Sequence, residues 1–249
     1  MFVTMVFLQP LTLSMTEPLS ILYQDQYLVA VNKPSGLLVH KSWVAKDAKE
    51  FALQMVRDQV GEFVFPVHRL DRPTSGVLLF AFSGEIAGLV QEKWEDAKKD
   101  YWAVVRGWLK EPVLLDHPLK GMADYGQDIN TQQEAQTQFS PVATVEIDAE
   151  IDRYPKSRFS WIQASPQQGR THQIRRHLKH LSHPIIGDAR YGKGNYNRYF
   201  ASQLDAHRLL LHARSLSFIH PISQQTVTIT APLEGAMKKL FTTFNWQNN

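Results

Sequence analysis

Residues 68–82 read HRLDRPTSGVLLFAF, a turn-rich loop that runs directly into a long apolar segment. A second apolar run, residues 63–65, precedes the loop. Both runs are short, rich in residues that favour strands and bounded by proline or glycine, so they predict two short strands. Asp71 stands between two arginines in the loop that joins them. A loop held by two buried strands is a favourable place for a reactive carboxylate, although aspartate followed by Pro, Thr, Ser and Gly is also ordinary turn material.

The composition is that of a soluble globular protein. The chain has 249 residues, of which 43% are hydrophobic and 20% are charged, enough for a sizeable core. It contains no cysteine, which excludes a disulfide scaffold, a thiolate nucleophile and a cysteine-ligated zinc site. The apolar stretch at residues 2–8 lacks a basic start and is too short to span a bilayer. We therefore expect residues 1–17 to be a poorly ordered extension, residues 18–249 to form a single domain, and the protein to be cytoplasmic without a membrane partner.

Positive charge is concentrated in one part of the chain. The formal net charge is +3, yet residues 169–214 contain nine Lys or Arg against two Asp. The nine are Arg170, Arg175, Arg176, Lys179, Arg190, Lys193, Arg198, Arg208 and Arg214. This clustering indicates an electropositive surface for a polyanion, and the histidines and tyrosines beside it favour nucleic acid over a merely solvated face.

Hydrophobic periodicity predicts strands in adjacent runs with helices between some of them. Two strands are expected within residues 21–32, and further strands at residues 101–109, 142–151, 158–164, 209–213, 216–219 and 227–230. Helices are expected at residues 51–59, directly after Ser83 as N-cap, and at residues 172–182. Residues 116–138 and 191–205 are polar and predict loops. The fold class is therefore α+β, with a mixed, largely antiparallel central sheet and flanking helices.

Three motifs relate the chain to a known family. The loop motif matches the pattern HRLDxxTSG, residues 169–178 read GRTHQIRRHL against GRxHQIRxHL, and residues 99–107 read KDYWAVVRG against KxYxAxVxG. With these motifs the chain resembles the RluA-type pseudouridine synthases. The resemblance implies the fold of that family, with a central active-site cleft, and the isomerisation of a uridine in RNA. HPIIGD at residues 183–188 and RLLLHA at residues 208–213 extend the likeness and are interpreted as structural parts of the pocket wall.

The resemblance implies three catalytic residues. Breaking the C1′–N1 glycosidic bond of uridine builds positive charge at C1′, which a carboxylate can stabilise or attack. The resemblance assigns this task to Asp71 and its ion-pair partner to Arg175, whose expected place at the edge of the buried helix stripe suits a partner that points inward. Tyr101 is either the base that removes the C5 proton or a platform for the uracil ring. Whether Asp71 attacks C1′ or removes a C2′ proton also stays open.

Six further residues are expected to serve RNA binding. They are His68, Arg69, Arg170, His172, Arg176 and Lys179. A uridine inside a duplex must be flipped out before it can react, and the resemblance assigns to Arg69 the wedge that fills the gap. His68 is expected to support the loop, whereas Arg176 and Lys179 fit phosphate contacts on the exposed side of the helix.

Flanking residues narrow the resemblance and leave alternatives. KPSG at residues 33–36 and HKSW at residues 40–43, without an appended S4-type RNA-binding domain, are most similar to family members that modify uridine 65 of tRNA. A ribosomal target, or a dual rRNA and tRNA target, is the alternative within the family. A non-catalytic RNA-binding protein would explain the positive charge but not Asp71, Arg175 and Tyr101 together. A glycoside hydrolase would need a second carboxylic acid, and none stands out.

No metal, cofactor or second subunit is expected. Residues 172–183 contain four histidines, but no carboxylate accompanies them as a ligand, so a zinc site is not favoured. The P-loop and the glycine-rich dinucleotide motif do not occur in the sequence, so a nucleotide cofactor is not implied. The expected partner is tRNA, and the expected state is a monomer.

Overall fold

A computed structural model describes residues 17–40 and 50–246. The extension expected at residues 1–17 lies outside the described residues except for Glu17, and so do residues 41–43 of the HKSW motif. The described strands are β1 (Ile21–Gln24), β2 (Leu28–Lys33), β3 (Phe65–Pro66), β4 (Ser75–Ala81), β5 (Lys98–Arg106), β6 (Val113–Asp116), β7 (Leu119–Lys120), β8 (Gln132–Gln133), β9 (Gln136–Ile147), β10 (Ser157–Pro166), β11 (Leu211–Ile219) and β12 (Thr226–Thr230). The described helices are α1 (Ala52–Val60), α2 (Gly84–Glu92), α3 (Gln173–His180), α4 (Gly194–Leu204) and α5 (Gly235–Thr243), with a 3-10 turn at Ala123–Tyr125. None of these helices is long and apolar enough to cross a membrane.

Ten of the described strands form one sheet. Its order is β1-β2-β4-β11-β5-β10-β9-β6, with β12 beside β11 and β3 beside β4. β4 and β11 run parallel, whereas the other paired strands in the described ranges are antiparallel. β7 and β8 form a separate two-stranded sheet. The prediction of an α+β fold with a largely antiparallel central sheet is confirmed.

The half of the sheet that carries the Asp71 loop is buried on both faces. Every residue of β2 and β4 is buried. Successive side chains point to opposite faces, so Leu79 packs with α2 on one face, and Leu78 packs with α1 on the other. Because both faces are covered, these strands are continuous apolar runs rather than alternating ones. Ser83 caps α2 as predicted, with its Oγ accepting a hydrogen bond from the Ile86 N–H at 3.2 Å.

The other half of the sheet packs against the three remaining helices. Ile174 and Leu178 of α3, Phe200 of α4, and Leu240 of α5 belong to one buried cluster with residues of β5, β10 and β11. This packing places the N-terminal end of α3 beside the Asp71 loop, so that the motifs at residues 68–76 and 169–178 line the same pocket.

The two halves meet where β4 lies beside β11. Gly76 pairs with Ala213 there and has a φ of 112°, in the region that favours glycine. A Cβ atom on Gly76 would lie 2.2 Å from the carbonyl oxygen of Ala213. Glycine is therefore required at the end of the HRLDRPTSG motif, because the backbone of β11 leaves no room for a side chain.

The prediction of a loop at residues 191–205 is wrong, because most of this segment forms α4. Tyr196 and Phe200 are buried on one face of the helix, and Leu204 is partly buried against the same cluster. These residues are four apart, as one helix face requires. The asparagines and tyrosines between them have modest helix propensity, so the polar composition concealed the apolar spacing.

Several other boundaries differ from the prediction. Residues 116–138 are not one long loop, since they contain β7, the 3-10 turn, β8 and the start of β9. The strands predicted at residues 209–213 and 216–219 form the single strand β11. Of the apolar run at residues 63–65, only Phe65 belongs to a strand, the short β3 (Phe65–Pro66). The helix α5 was not predicted. A short apolar run predicts that a strand is present more reliably than it predicts where the strand ends, because the ends depend on the neighbouring strands.

Candidate active site

The loop that contains Asp71 is attached by hydrogen bonds to the turn that follows β2. Lys33 is fully buried, although a lysine side chain is normally exposed. Its ammonium group is satisfied by three carbonyl groups. The acceptors of Nζ are the oxygens of Pro34 at 2.9 Å, Leu37 at 2.8 Å and Arg72 at 3.2 Å. The contact with Arg72 ties the lysine directly to the residue after Asp71.

Three more hydrogen bonds join the same two segments. The Gly36 N–H donates to the carbonyl oxygen of Arg72 at 2.8 Å, and Arg72 Nε donates to the Gly36 carbonyl at 3.0 Å. Ser35 Oγ donates to the carbonyl oxygen of Pro73 at 2.6 Å. The KPSG turn therefore fixes the backbone on the C-terminal side of Asp71, which gives that motif a structural reason.

Buried cations lie on the inner side of the loop. Arg208 Nη2 donates to Ser75 Oγ at 2.7 Å, and Ser75 Oγ lies 2.7 Å from His212 Nδ1. Burial lowers the pKa of Arg208 to about 10. Burial and the charge of Arg208 lower the pKa of Lys33 to about 7, while the charge of Asp71 opposes this shift. Lys33 is therefore only partly protonated near pH 7, and its charge interacts with that of Asp71.

Arg175 of α3 joins two carboxylates and is only 6% exposed. Its Nη1 donates to Asp71 Oδ2 at 3.1 Å. Its Nε and Nη2 donate to Asp188 Oδ2 at 2.7 Å and to Asp188 Oδ1 at 2.9 Å. Burial alone would lower the pKa of Arg175, but the hydrogen bonds and charges of Asp188 and Asp71 outweigh it and raise the pKa. The bidentate contact is therefore with Asp188, and Asp71 receives a single bond from a permanently charged group.

His172 lies immediately before α3 rather than on the helix where the sequence had placed it, with a left-handed φ of 55°. Its Nε2 lies 3.6 Å from Asp71 Oδ2 and 3.0 Å from the Tyr125 hydroxyl. Its Nδ1 lies 3.0 Å from the Tyr191 hydroxyl. Burial lowers the pKa of His172 to about 4, although the charge of Asp71 opposes this. The imidazole is consequently neutral near pH 7.

Tyr101 lies on β5, where its backbone pairs with Ala164 of β10 and Ala213 of β11. Burial raises the pKa of the Tyr101 hydroxyl far above its ordinary value, and the negative charge of Asp71 raises it further. The hydroxyl therefore keeps its proton near neutral pH. Of the two roles that the sequence left open, a platform with a hydrogen-bond donor fits this environment better than a phenolate base.

One pocket collects most of the expected site residues. The predicted residues that line it are Arg69, Asp71, Tyr101, Arg170, His172 and Arg175. They come from the loop before β4, from β5 and from the segment that starts α3, so the cleft lies at the junction of the two halves of the sheet. This arrangement gives a carboxylate, a flat aromatic ring and several cations facing one small space.

His68 packs behind the Asp71 loop. Its Nε2 accepts a hydrogen bond from the Leu79 N–H at 3.1 Å, and its ring stacks on Trp94 with centroids 4.8 Å apart. Burial lowers the pKa of His68 to about 4, so the ring is neutral and can accept this bond. The geometry fits the expected support of the loop rather than contact with RNA.

The other three residues expected to contact RNA differ in how far they are already bonded within the protein. Lys179 is exposed on α3. Arg176 Nη1 donates to the carbonyl oxygen of Lys120 at 2.9 Å, and Arg170 Nε donates to the carbonyl oxygen of Glu134 at 3.0 Å. Both arginines are therefore partly engaged within the protein, whereas Lys179 is the clearest candidate for a phosphate contact.

Less positive charge reaches the surface than the sequence count indicated. Arg175 is neutralised inside the protein by Asp188. Arg208 points to the buried Ser75, and Arg214 lies over the ring of Trp102, 4.5 Å from its centroid. The electropositive surface expected from the nine cations therefore rests on fewer side chains, because Arg175, as expected, and also Arg208 and Arg214 are directed at partners within the protein.

The four histidines of residues 172–183 do not converge on one point. His177 Nδ1 lies 2.9 Å from Thr137 Oγ1, and His183 Nδ1 lies 2.9 Å from the Arg106 carbonyl oxygen. His180 stacks on His117 with centroids 4.0 Å apart. Within residues 17–40 and 50–246, no group of three or more His, Cys, Asp or Glu side chains is placed to hold a metal ion.

Two residues of the site, Asp188 and Tyr125, were not predicted from the sequence. Asp188 was interpreted as part of the pocket wall, but it is the main anchor of Arg175. A carboxylate directly after an apolar run is a signal that could have revealed it, since a buried carboxylate needs a cation. Tyr125 stood in a predicted loop, and nothing in its sequence neighbourhood pointed to His172.

Comparisons with known proteins show to which family the chain belongs. The family described as RNA pseudouridylate synthase matches residues 27–180. The "tRNA pseudouridine synthase C" of Haemophilus influenzae is 48% identical over 237 residues, which cover 92% of this chain and 99% of the relative. The protein of the same description from Vibrio parahaemolyticus is 45% identical over 235 residues, 92% of this chain and 96% of the relative. The structure of Human RNA Pseudouridylate Synthase Domain Containing 4 covers 91% of this chain and 93% of its own, with a TM-score of 0.66 at 25% identity. The chain belongs to the RNA pseudouridylate synthase family.

Proposed function

We propose that the protein isomerises a uridine of tRNA to pseudouridine, with uridine 65 as its target. Relatives described as tRNA pseudouridine synthases, which share 45% and 48% of their residues with this chain, support the substrate class. The observation that carries the reaction is the contact of Asp71 Oδ2 with Arg175 Nη1 at 3.1 Å, in a pocket that Tyr101 also lines. The choice of position 65 follows from the resemblance of the KPSG turn and its surroundings to family members that modify this position.

The proposed reaction is an isomerisation that needs no cofactor. The C1′–N1 bond breaks, the uracil turns within the pocket, C5 bonds to C1′, and the proton on C5 is lost while N1 gains one. Asp71 stabilises the positive charge that develops at C1′. Arg175 donates a hydrogen bond to this carboxylate and places a positive charge beside it, and Asp188 holds Arg175 in the required orientation.

Two further side chains are assigned roles in handling the base. Tyr101 supports the uracil ring and donates its hydroxyl proton to a hydrogen bond, consistent with its raised pKa. Arg69 is exposed at the rim of the pocket, where its planar guanidinium can replace the flipped base in the stack.

We also infer that residues 18–249 act as one catalytic domain in a monomeric, cytoplasmic protein. In support of one domain, the residues that line the pocket come from both halves of one continuous sheet. The cytoplasm is where the proposed tRNA substrate is found.

The direct test is to incubate the purified protein with unmodified tRNA transcripts. We expect one pseudouridine per tRNA at position 65, and none in a transcript with cytidine at that position, measured by tritium release from C5-labelled uridine and by chemical mapping. Ribosomal RNA serves as the comparison substrate. Product in ribosomal RNA alone would contradict the tRNA target, and no product in either RNA would contradict the activity.

Replacing Lys179 by alanine is expected to weaken tRNA binding without changing the chemical step. Loss of one phosphate contact reduces the slope of log affinity against log salt by about one. Binding is measured by filter retention at several salt concentrations, and chemistry by single turnover at saturating enzyme. Lys238→Ala, at an exposed position of α5, is the control. An unchanged salt slope for the Lys179 variant would show that α3 does not face the RNA backbone.

A further inference from the structure

A small hairpin lies beside the active site and outside the main sheet. The hairpin comprises residues 119–133, with β7, the 3-10 turn and β8. Gln127 Nε2 donates to Thr171 Oγ1 at 2.7 Å, and the Lys120 carbonyl accepts the bond from Arg176 described above. These contacts attach the hairpin to the segment that begins α3, which is the segment that brings cations to Asp71.

The Tyr125 hydroxyl controls the orientation of His172. Because His172 Nε2 lies 3.6 Å from Asp71 Oδ2, a proton on Nε2 is favoured over a lone pair facing the carboxylate. In that tautomer Nε2–H donates to the Tyr125 oxygen at 3.0 Å, and Nδ1 accepts from Tyr191. Tyr125 thereby draws the ring N–H away from Asp71, so that the carboxylate keeps its electron density for the reaction.

The side chains of the hairpin are better suited to contact a nucleobase than a phosphate group. Its described charged side chains, Lys120 and Asp128, cancel in formal charge, so it lacks the excess of positive charge that phosphate contacts require. Its exposed apolar side chains are Tyr125, which is 41% exposed, and Ile129, which is 50% exposed. An exposed aromatic ring beside a pocket that takes one flipped base is placed to stack on the neighbouring base.

We propose that Tyr125 is a positioning and specificity-determining residue of this enzyme. Its hydroxyl holds His172 away from Asp71, and its ring stacks on the nucleobase adjacent to the flipped uridine. The inference rests on the proposed function, because it requires an RNA substrate in the pocket.

The experiment separates the hydroxyl from the ring. Tyr125→Phe removes one hydrogen bond and is expected to lower kcat about two- to tenfold with KM unchanged. Tyr125→Ala is expected to lower kcat similarly and to raise KM for tRNA about fivefold or more, since it also removes a stacked base. A tRNA stem-loop with 2-aminopurine next to the target uridine reports stacking directly. Measured in the Asp71→Asn background, its fluorescence is expected to be quenched with Tyr125 or Phe and to rise with Ala.

Tyr154→Ala is the matched control, because Tyr154 is 59% exposed and lies between β9 and β10, outside the pocket. Equal kcat, KM and fluorescence for the Tyr125→Ala and Tyr154→Ala variants would overturn the inference. A rise in KM for Tyr125→Phe as large as that for Tyr125→Ala would also overturn it. Wild-type enzyme that makes no pseudouridine would instead refute the proposed function, so the two failures are distinguishable.

Discussion

Replacing Asp71 by asparagine is expected to abolish pseudouridine formation. The substitution keeps the size of the side chain and an oxygen that can accept from Arg175, but removes the negative charge that meets the developing charge at C1′. Loss of a residue that acts directly on the reacting bond costs about 10³-fold or more in rate. Single-turnover tritium release from C5-labelled uridine in tRNA measures this loss.

The same variant is expected to remain folded and to bind tRNA nearly as well as the wild type. Arg175 keeps its two hydrogen bonds to Asp188, so no buried cation is left without a partner. Asp58→Asn on α1, where the carboxylate accepts an exposed hydrogen bond from Gln54 at 2.7 Å, is the control for the chemical change itself. Turnover by the Asp71→Asn variant at more than a few per cent of the wild-type rate would remove Asp71 from the mechanism.

The sequence was informative where chemistry is local to a motif. Asp71 and Arg175 are 104 positions apart, and their contact at 3.1 Å was expected because each stands at a specified position of a family motif. The flanking strands were also predictable, because strands that are buried on both faces have continuous apolar sequences. Motif and periodicity together therefore predicted the α+β class and the pairing at the centre of the candidate site.

Residues whose roles depend on distant partners were not predictable in the same way. Asp188 looked like a pocket-wall residue, because its bidentate bond to Arg175 requires the fold to bring the start of α3 against residues 185–191. Tyr125 reaches His172 only after residues 119–133 fold back as a hairpin. A sequence pattern indicates whether a segment prefers a helix, a strand or a turn, whereas these contacts arise from the tertiary arrangement of several segments.

The electrostatics of Asp71 depend on a charge balance that extends beyond one ion pair. Arg175 shares a single positive charge between Asp71 and Asp188, and Asp188 also accepts hydrogen bonds from the backbone N–H groups of Arg190 at 2.9 Å and Tyr191 at 3.0 Å. The hydrogen bonds and charge of Arg175, with a smaller contribution from the two backbone donors, lower the pKa of Asp188, and Asp188 in turn aligns the fork of Arg175. Arg175 Nη1 then points at Asp71, so the geometry of the proposed catalytic carboxylate is set by a residue that does not line the pocket.

Replacing Asp188 by asparagine is therefore expected to destabilise the protein strongly and to lower its activity. Asp188 is 1% exposed, and breaking one side of a buried, hydrogen-bonded ion pair costs about 3–5 kcal/mol. Urea unfolding at pH 7 measures the loss. The matched variant is Arg175→Met with Asp188→Asn, which removes both charges and keeps a side-chain oxygen for the backbone N–H groups of Arg190 and Tyr191; it is expected to recover most of the stability without recovering activity. Recovery of activity by this double variant would contradict the assignment of Arg175.

The pH dependence of stability tests the same pair independently. Burial alone would raise the pKa of Asp188, but the hydrogen bonds and charge of Arg175 outweigh it and hold the pKa below its ordinary value. A carboxyl with a lowered pKa in the folded state stabilises the fold above its unfolded pKa of about 3.9, and this contribution is lost as the pH falls through the folded value. The free energy of unfolding of the wild type should therefore fall below about pH 4 more steeply than that of the Asp188→Asn variant. Urea unfolding between pH 3 and pH 7, in steps of about half a pH unit, measures the free energy of unfolding of both proteins. An equal dependence of this free energy on pH in the two proteins would show that the Asp188–Arg175 pair does not stabilise the fold by its charge.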